Sequence, residues 1–313
     1  MRKIPLTLAV MMTSTFVALA QEAQEFDPFD QSKVPLEVEP VDSKLPKIVL
    51  IAGRISHGPG DHEFFAGTAI LMKMLSLNGV APVMARNGWP KNEQIFEGAK
   101  AVMIYADGDG GHPAVQGKRP ELMNGLAKKG IGVGFMHYGV HAPKARSAEF
   151  LDWIGGHYES DYSVNPMWTP NFDTFPVHPI TRGVKPFAVR DEWYFNIRFR
   201  PDMKGITPIL VAKPSDQVRD GPYVWPKGPF PHVQAAKGSE ETMMWAADHQ
   251  NGGRGFGFTG GHVHKNWSNE NYRKIVVNAL LWIAKVEVPK DGAKVEMDAS
   301  EIKRNMDDKR PKK

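Results

Sequence analysis

Cysteine is missing from all 313 residues. Disulfides, thiolate metal ligands and a cysteine nucleophile go with it, so any chemistry falls to histidine, carboxylates, hydroxyls or a bound group. A strong charge of either sign is missing too. The formal net charge is +4, and much of it sits at Arg2 and Lys3 and in Lys303 to Lys313, where Asp307 and Asp308 interrupt the basic run. Such ends read as solvated tails and not as nucleic-acid arms, so no nucleic-acid partner is expected. There is no nucleotide-binding glycine fingerprint, and no nucleotide cofactor is expected. Nor is there an uninterrupted apolar run of the roughly 20 residues that a membrane span needs.

What is present begins with a targeting pattern. Arg2 and Lys3 give a basic start, Ile4 to Val17 an apolar stretch broken by Thr13, Ser14 and Thr15, and Ala18-Leu19-Ala20 a small-x-small cleavage site. Residues 1–20 therefore read as a signal peptide cut before Gln21, and the mature protein is expected to be exported, periplasmic or secreted, without stable membrane insertion. Residues 21–46 are acidic, Pro-rich and aperiodic, an extended lead-in. A single α/β domain is expected over 47–286 and a charged C-terminal tail over 287–313.

Inside that domain, unbroken apolar runs alternate with helical periodicity. Lys47–Ala52, Ala81–Ala85, Ala101–Tyr105 and Gly132–Met136 read as strands; His62–Leu77, Pro120–Lys128 and Ala142–Ile154 read as helices. Strands buried on both faces lose the polar alternation of half-exposed ones, and the helices between them supply crossovers. The pattern predicts a doubly wound, mostly parallel sheet flanked by helices, of flavodoxin-like type. Residues 155–238 are looser, Pro-rich and aromatic, with short strands expected at 187–189 and 207–212. Strands at 243–247 and 255–259 and a helix at 269–284 close the domain.

Ligands of such sheets bind where strands end and helices begin. After the first strand come Arg54, His57 and His62; after the third, Asp107 and Asp109; after the fourth, His137, Tyr138 and His141; after the last, His262 and His264. All eleven histidines lie between positions 57 and 264. His137 stands at a sharp strand-to-helix elbow, which lifts a side chain above the sheet. His137 and His141 have a spacing that suits metal ligands if the turn between them is helical, and His262 and His264 share a face if their segment is extended. The bland alternatives are that His62 only starts a helix, that Asp107 and Asp109 only make a turn, and that Asp191-Glu192-Trp193-Tyr194 is a charged turn beside core aromatics.

Taken in order, K-I-V-L-I-A-G-R, A-V-M-I-Y, G-I-G-V-G-F-M-H-Y-G, W-I-G-G-H, H-P-I-T-R-G, D-E-W-Y, G-R-G-F-G-F-T-G-G-H and N-Y-R-K-I-V-V-N-A-L-L-W resemble the ThuA-like (trehalose utilization) family. The resemblance implies a fold like that of the class I glutamine amidotransferases and an association with disaccharide and 3-keto-sugar metabolism. His137 matches the elbow that carries cysteine in true amidotransferases, so a Cys-dependent amidotransferase is excluded. Asp191, Glu192 and Tyr194 match the D-E-x-Y segment, and Gly261-His262 the G-H segment. The signal peptide, His141 and His264 depart from many relatives.

The leading expectation is an exported enzyme acting on a carbohydrate. His137, Glu192 and Asp191 are its candidate catalytic residues, with Glu192 or His137 as general base. Arg54, Asp107, Tyr138, Trp193, Tyr194 and Trp267 are candidates for substrate binding, and His57, His62, His141, His262 and His264 for a divalent metal, zinc first. The competing expectation is a non-catalytic carbohydrate-binding or scaffolding module in which Trp168, Trp193, Tyr194 and Trp267 stack on sugar rings. A third is an amidase-like hydrolase with a nucleophile other than cysteine. The oligomeric state is not written in the sequence.

Overall fold

The computed structural model describes residues 26–311. The expected signal peptide and the first residues of the lead-in lie outside them. The leading strand, β1 (Lys47–Ala52), is buried at every position. Its side chains alternate between two cores: Ile48 and Leu50 enter one, Val49 and Ile51 the other. An unbroken apolar run is what a strand covered on both faces requires. Each such aliphatic side chain contributes about 1.5–3 kcal/mol through burial.

The other strands of the main sheet and the helices that cover it are α1 (Phe64–Leu77), β2 (Ala81–Ala85), β3 (Ala99–Tyr105), α2 (Arg119–Lys128), β4 (Gly132–Met136), α3 (Ser147–Ile154), β5 (Ile206–Ala212), β6 (Glu241–Asp248), β7 (Arg254–Phe258) and α4 (Glu270–Ile283). Seven strands form one sheet in the order β5-β6-β7-β4-β3-β1-β2. The pairs β1–β2, β1–β3, β3–β4 and β4–β7 are parallel, and β5 and β6 add an antiparallel edge. α1 and α4 cover one face; α2 and α3 cover the other. The doubly wound, mostly parallel α/β sheet expected from the pattern is thus the fold.

Boundaries follow local chemistry. α4 starts where the Asn269 side chain accepts from the backbone amides of Asn271 and Tyr272. α3 starts later than its apolar pattern suggests, at Ser147, because Pro143 biases Ala142 away from helix and Lys144–Arg146 make a 3-10 turn first. Residues 155–205 form no long strands. They make two-residue ribbons, among them Met167–Trp168 against Asp191–Glu192 and Asn171–Phe172 against Phe187–Ala188.

The C-terminal segment departs from a solvated tail. Asp307 is buried, and the Lys309 ammonium, 3% exposed, meets Glu63, 1% exposed, at 3.2 Å. A buried carboxylate demands a partner, and the sequence supplies it from far along the chain. Among the described residues, no helix is long and apolar enough to cross a membrane.

Candidate metal centre

Because β1, β3, β4 and β7 are neighbours, their carboxyl ends deliver four loops to one place. The first and last loops are stitched together: His62 N donates to His262 O and His264 N to Gly60 O, and Asp61 bridges Val263. His57, His62, Asp109 and His137 all have positive φ, between 48° and 58°. A side chain in that left-handed region costs roughly 1–2 kcal/mol, and such strain gathers where a fold fixes groups for function. Gly261, at φ +120°, lets the last loop pass close: a Cβ there would lie 3.1 Å from His137 Cβ.

Four side-chain atoms converge. His62 Nε2 lies 3.0 Å from His137 Nε2 and 3.0 Å from His262 Nδ1; His262 Nδ1 lies 3.3 Å from His137 Nε2 and 2.9 Å from Glu192 Oε2. Glu192 Oε2 is also 3.5 Å from His137 Nε2. All four residues are buried. The outer ring nitrogens decide what these inner atoms are. His137 Nδ1 sits 3.0 Å from the Thr259 carbonyl oxygen, which only accepts, so Nδ1 carries the proton and Nε2 a bare lone pair. His62 Nδ1 sits 2.9 Å from Asp107 Oδ1, with the same consequence for its Nε2. Two lone pairs therefore face each other at 3.0 Å beside a carboxylate.

Protonation does not relieve that repulsion. Burial, followed by the charges of His57 and His262, holds His62 far below the ordinary histidine range, and burial followed by His62 and His262 does the same to His137. His262 differs. Burial pulls it down, but the hydrogen bond and charge of Glu192 carry it above its ordinary value. Glu192 itself is raised by burial, with His262 opposing. Three imidazoles and one carboxylate with outer-shell partners on the rings form a group that can hold a metal ion. His57, His62 and Asp107 form a second, more exposed group, but it shares His62 through the nitrogen already engaged by Asp107.

The cluster floors a cleft of 530 Å³ whose walls include His57, Tyr138, His141, Tyr158, Tyr194 and Trp225. The Tyr194 hydroxyl is 3.4 Å from His137 Nε2, and burial, then Glu192, holds its proton firmly. Tyr138 also keeps its proton, through burial and Asp109. The His57 ring stacks 3.5 Å from that of His62.

Other expected site residues lie elsewhere. Asp191 lies outside the cluster and the cleft lining: it accepts from Gly261 N at 2.9 Å, Val263 N at 3.0 Å and Tyr272 OH at 2.8 Å, and so pins the loop carrying His262. Successive strand residues point to opposite faces, which sends Glu192 to the cleft and Asp191 to the core. His141 is not in the cluster. The turn from His137 to Val140 is 3-10, so the two rings do not stack along a helix, and His141 Nε2 lies 2.9 Å from Ser160 Oγ instead. His264 opens another 3-10 turn, which breaks the extended register with His262 and leaves its Nε2 2.9 Å from Ile302 O. Trp193 and Trp267 are fully buried core, Trp193 beside Phe172 and Phe258, Trp267 beside Tyr105 and Tyr272. Trp168 is buried as well and donates to Trp193 O. Arg54 is exposed outside the cleft lining, and Asp107 orients His62 from behind.

Sequence reasoning missed Asn165, whose amide donates to Glu192 Oε1 at 2.9 Å, and the cleft residues Tyr158, Ser160 and Trp225. They lie in the aperiodic stretch, where only its Pro-rich, aromatic composition marked loops over the site. At the opposite rim, a larger cleft of 880 Å³ lies against Lys128, Asp152, Arg200, Asp248 and His249.

Comparison with known proteins bears on this geometry. The family model described as ThuA, trehalose utilisation, matches residues 56–283. No curated protein matches the sequence. Among solved structures, a ThuA-like protein from Bacteroides uniformis is similar at 14% identity and a TM-score of 0.54, over 77% of this chain and 92% of that one. Another from Parabacteroides merdae is similar at 14% identity and a TM-score of 0.52, over 83% and 99%. A glutamine amidotransferase from Thermotoga maritima is more distant, at 10% identity and a TM-score of 0.42, over 77% and 98%.

Proposed function

Because this chain belongs to the ThuA, trehalose utilisation, family, we propose that it is an exported, metal-dependent enzyme that acts on a carbohydrate. His62, His137, His262 and Glu192 hold the cation, zinc first by its preference for imidazole with a carboxylate. The observation that carries this reading is the pair of unprotonated ring nitrogens facing each other beside Glu192. With no inner proton on His62 or His137, a divalent cation that also displaces the proton His262 Nδ1 shares with Glu192 turns that repulsion into four attractive contacts.

Such a cation supplies Lewis-acid polarisation of a sugar hydroxyl or carbonyl. The protein's own groups divide the rest. With their lone pairs committed, Glu192 and His137 are ligands and not the general base first expected; the imidazoles that remain facing the cleft are His57 and His141. Burial holds His141 at about 4, so at neutral pH it is an unprotonated acceptor beside the Ser160 hydroxyl. Tyr138, Tyr158 and Tyr194 keep their protons and offer hydroxyls to an oxygen-rich ligand. Of the four platforms expected for the non-catalytic alternative, Trp168, Trp193 and Trp267 lie in the core and Tyr194 lines the cleft.

Elemental analysis of full-length protein never exposed to chelator tests the reading. About one equivalent of divalent metal per chain is expected, retained through gel filtration and lost in both His137→Ala and His262→Ala. Protein that stays metal-free after incubation with zinc, manganese and iron(II) would sink it. Amino-terminal sequencing of the extracytoplasmic fraction tests export, with Gln21 expected first.

A further inference from the structure

The chain has eight tryptophans. Trp153, Trp193, Trp245 and Trp267 are fully buried, Trp168 and Trp282 nearly so, and Trp89 half-buried; Trp225 is 73% exposed. It stands in the wall of the 530 Å³ cleft, over the same opening as His57, Tyr138 and Glu192. Among the described residues no other tryptophan is exposed, and this one faces a cleft.

The loop that presents it is built, not loose. Trp225 N donates to Asn165 Oδ1 at 3.0 Å and Val224 N to Asn165 O at 3.3 Å. Next to it Tyr223 is buried, with its N bonded to Lys227 O at 3.0 Å and its hydroxyl to Arg219 O at 2.5 Å. Gly228, at φ +68°, closes the loop against that ring: a Cβ there would come within 2.6 Å of it. Asn165 also donates through Nδ2 to Glu192 Oε1. One side chain thus fixes the backbone of Trp225 and the carboxylate of the cluster at the same time.

We propose that Trp225 is the stacking platform of a second sugar subsite, so that the cleft takes a glycoside of at least two rings. One ring sits over the His62–His137–His262–Glu192 cluster; the next lies against the indole. This rests on the carbohydrate reading above and gives it a length. A flat apolar face suits the C–H face of a pyranose, while Asp161, Ser160 and Asn165 in the same wall meet its hydroxyls. Those polar neighbours favour a sugar over a purely apolar ligand.

The test uses metal-loaded full-length protein, calorimetry, and a panel of trehalose, maltose, cellobiose and the two methyl glucosides. At least one disaccharide is expected to bind about tenfold more tightly than its methyl glucoside. Trp225→Ala should erase that margin with metal content, melting temperature and methyl-glucoside affinity unchanged, and Trp225→Phe should retain part of it. If Trp225→Ala binds every disaccharide as well as the parent does, or if no disaccharide exceeds its methyl glucoside, the platform is overturned. The metal reading fails separately: disaccharide binding that depends on Trp225 in protein devoid of metal keeps the platform and removes the cation.

Discussion

The two clefts at opposite rims of the sheet differ in the wrong direction for a search by size. The one at the amino ends of β4 and β7 measures 880 Å³, the one over the carboxyl ends 530 Å³. In the larger cleft Arg200 is already spent. Arg200 donates to Leu151 O at 2.8 Å and Asp248 O at 3.0 Å, and its other nitrogen lies 3.0 Å from His249 Nδ1. None of its lining residues other than glycine has positive φ, whereas His57, His62, Asp109 and Asp161 do in the smaller one. A fold that gathers strain and unprotonated nitrogens in one concavity, with neither in the larger one beyond His249, points to the first as the place where something binds.

Three changes sharpen or break that contrast. The largest effect is expected at Lys309, which holds the smaller cleft from outside. Lys309→Met strips Glu63 of its buried partner and should cost about 3–5 kcal/mol in urea unfolding. It should also weaken zinc binding at least tenfold by calorimetry, because Lys309 also donates to the carbonyls of Asp61 and His62 in the ligand loop. Unchanged zinc affinity in a folded variant would show that the loop holds itself. In the larger cleft, Arg200→Ala should cost about 1–3 kcal/mol by leaving carbonyls unpaired. Metal content and sugar binding should not move; a loss of either would make the larger cleft functional.

The smallest effect is a pH response that separates the two rims. Burial holds His249, in the larger cleft, at about 4. Its folded value is depressed, so the stability it contributes is complete above the unfolded value near 6.5 and is lost as pH falls toward 4. His249→Gln should flatten the melting temperature in that window without altering metal release. At the cluster, acid should instead expel the cation as protons compete for His62, His137 and His262, read by a zinc-sensitive dye. Metal release that shifts with His249→Gln would break the separation.

Much of the fold was legible because strands covered on both faces must be continuously apolar, and β1, β2 and β4 lie where their runs do. The rim was legible for a related reason: residues that follow those runs gather at one edge, and the elbow raised His137 above it. Choosing between neighbours was harder. Asp191 and Glu192 part company only once the ribbon with Met167–Trp168 sets which faces the cleft. A 3-10 turn runs from His137 to Val140 before His141, and another opens at His264, and no spacing rule reveals either. Tryptophans 193 and 267 look the same as Trp225 in sequence, and burial, a long-range property, decides which can meet a ligand. Asn165, Trp225 and Lys309 gained their places through contacts across the fold.

The bond between Lys309 and the loop of His62 joins residues 247 apart in sequence. A chain leaves the ribosome from its amino end, so the loop that carries the first cluster ligand is made long before the lysine that clasps it. The clasp on the His62 loop therefore closes only after the 247 residues that follow His62 have been made.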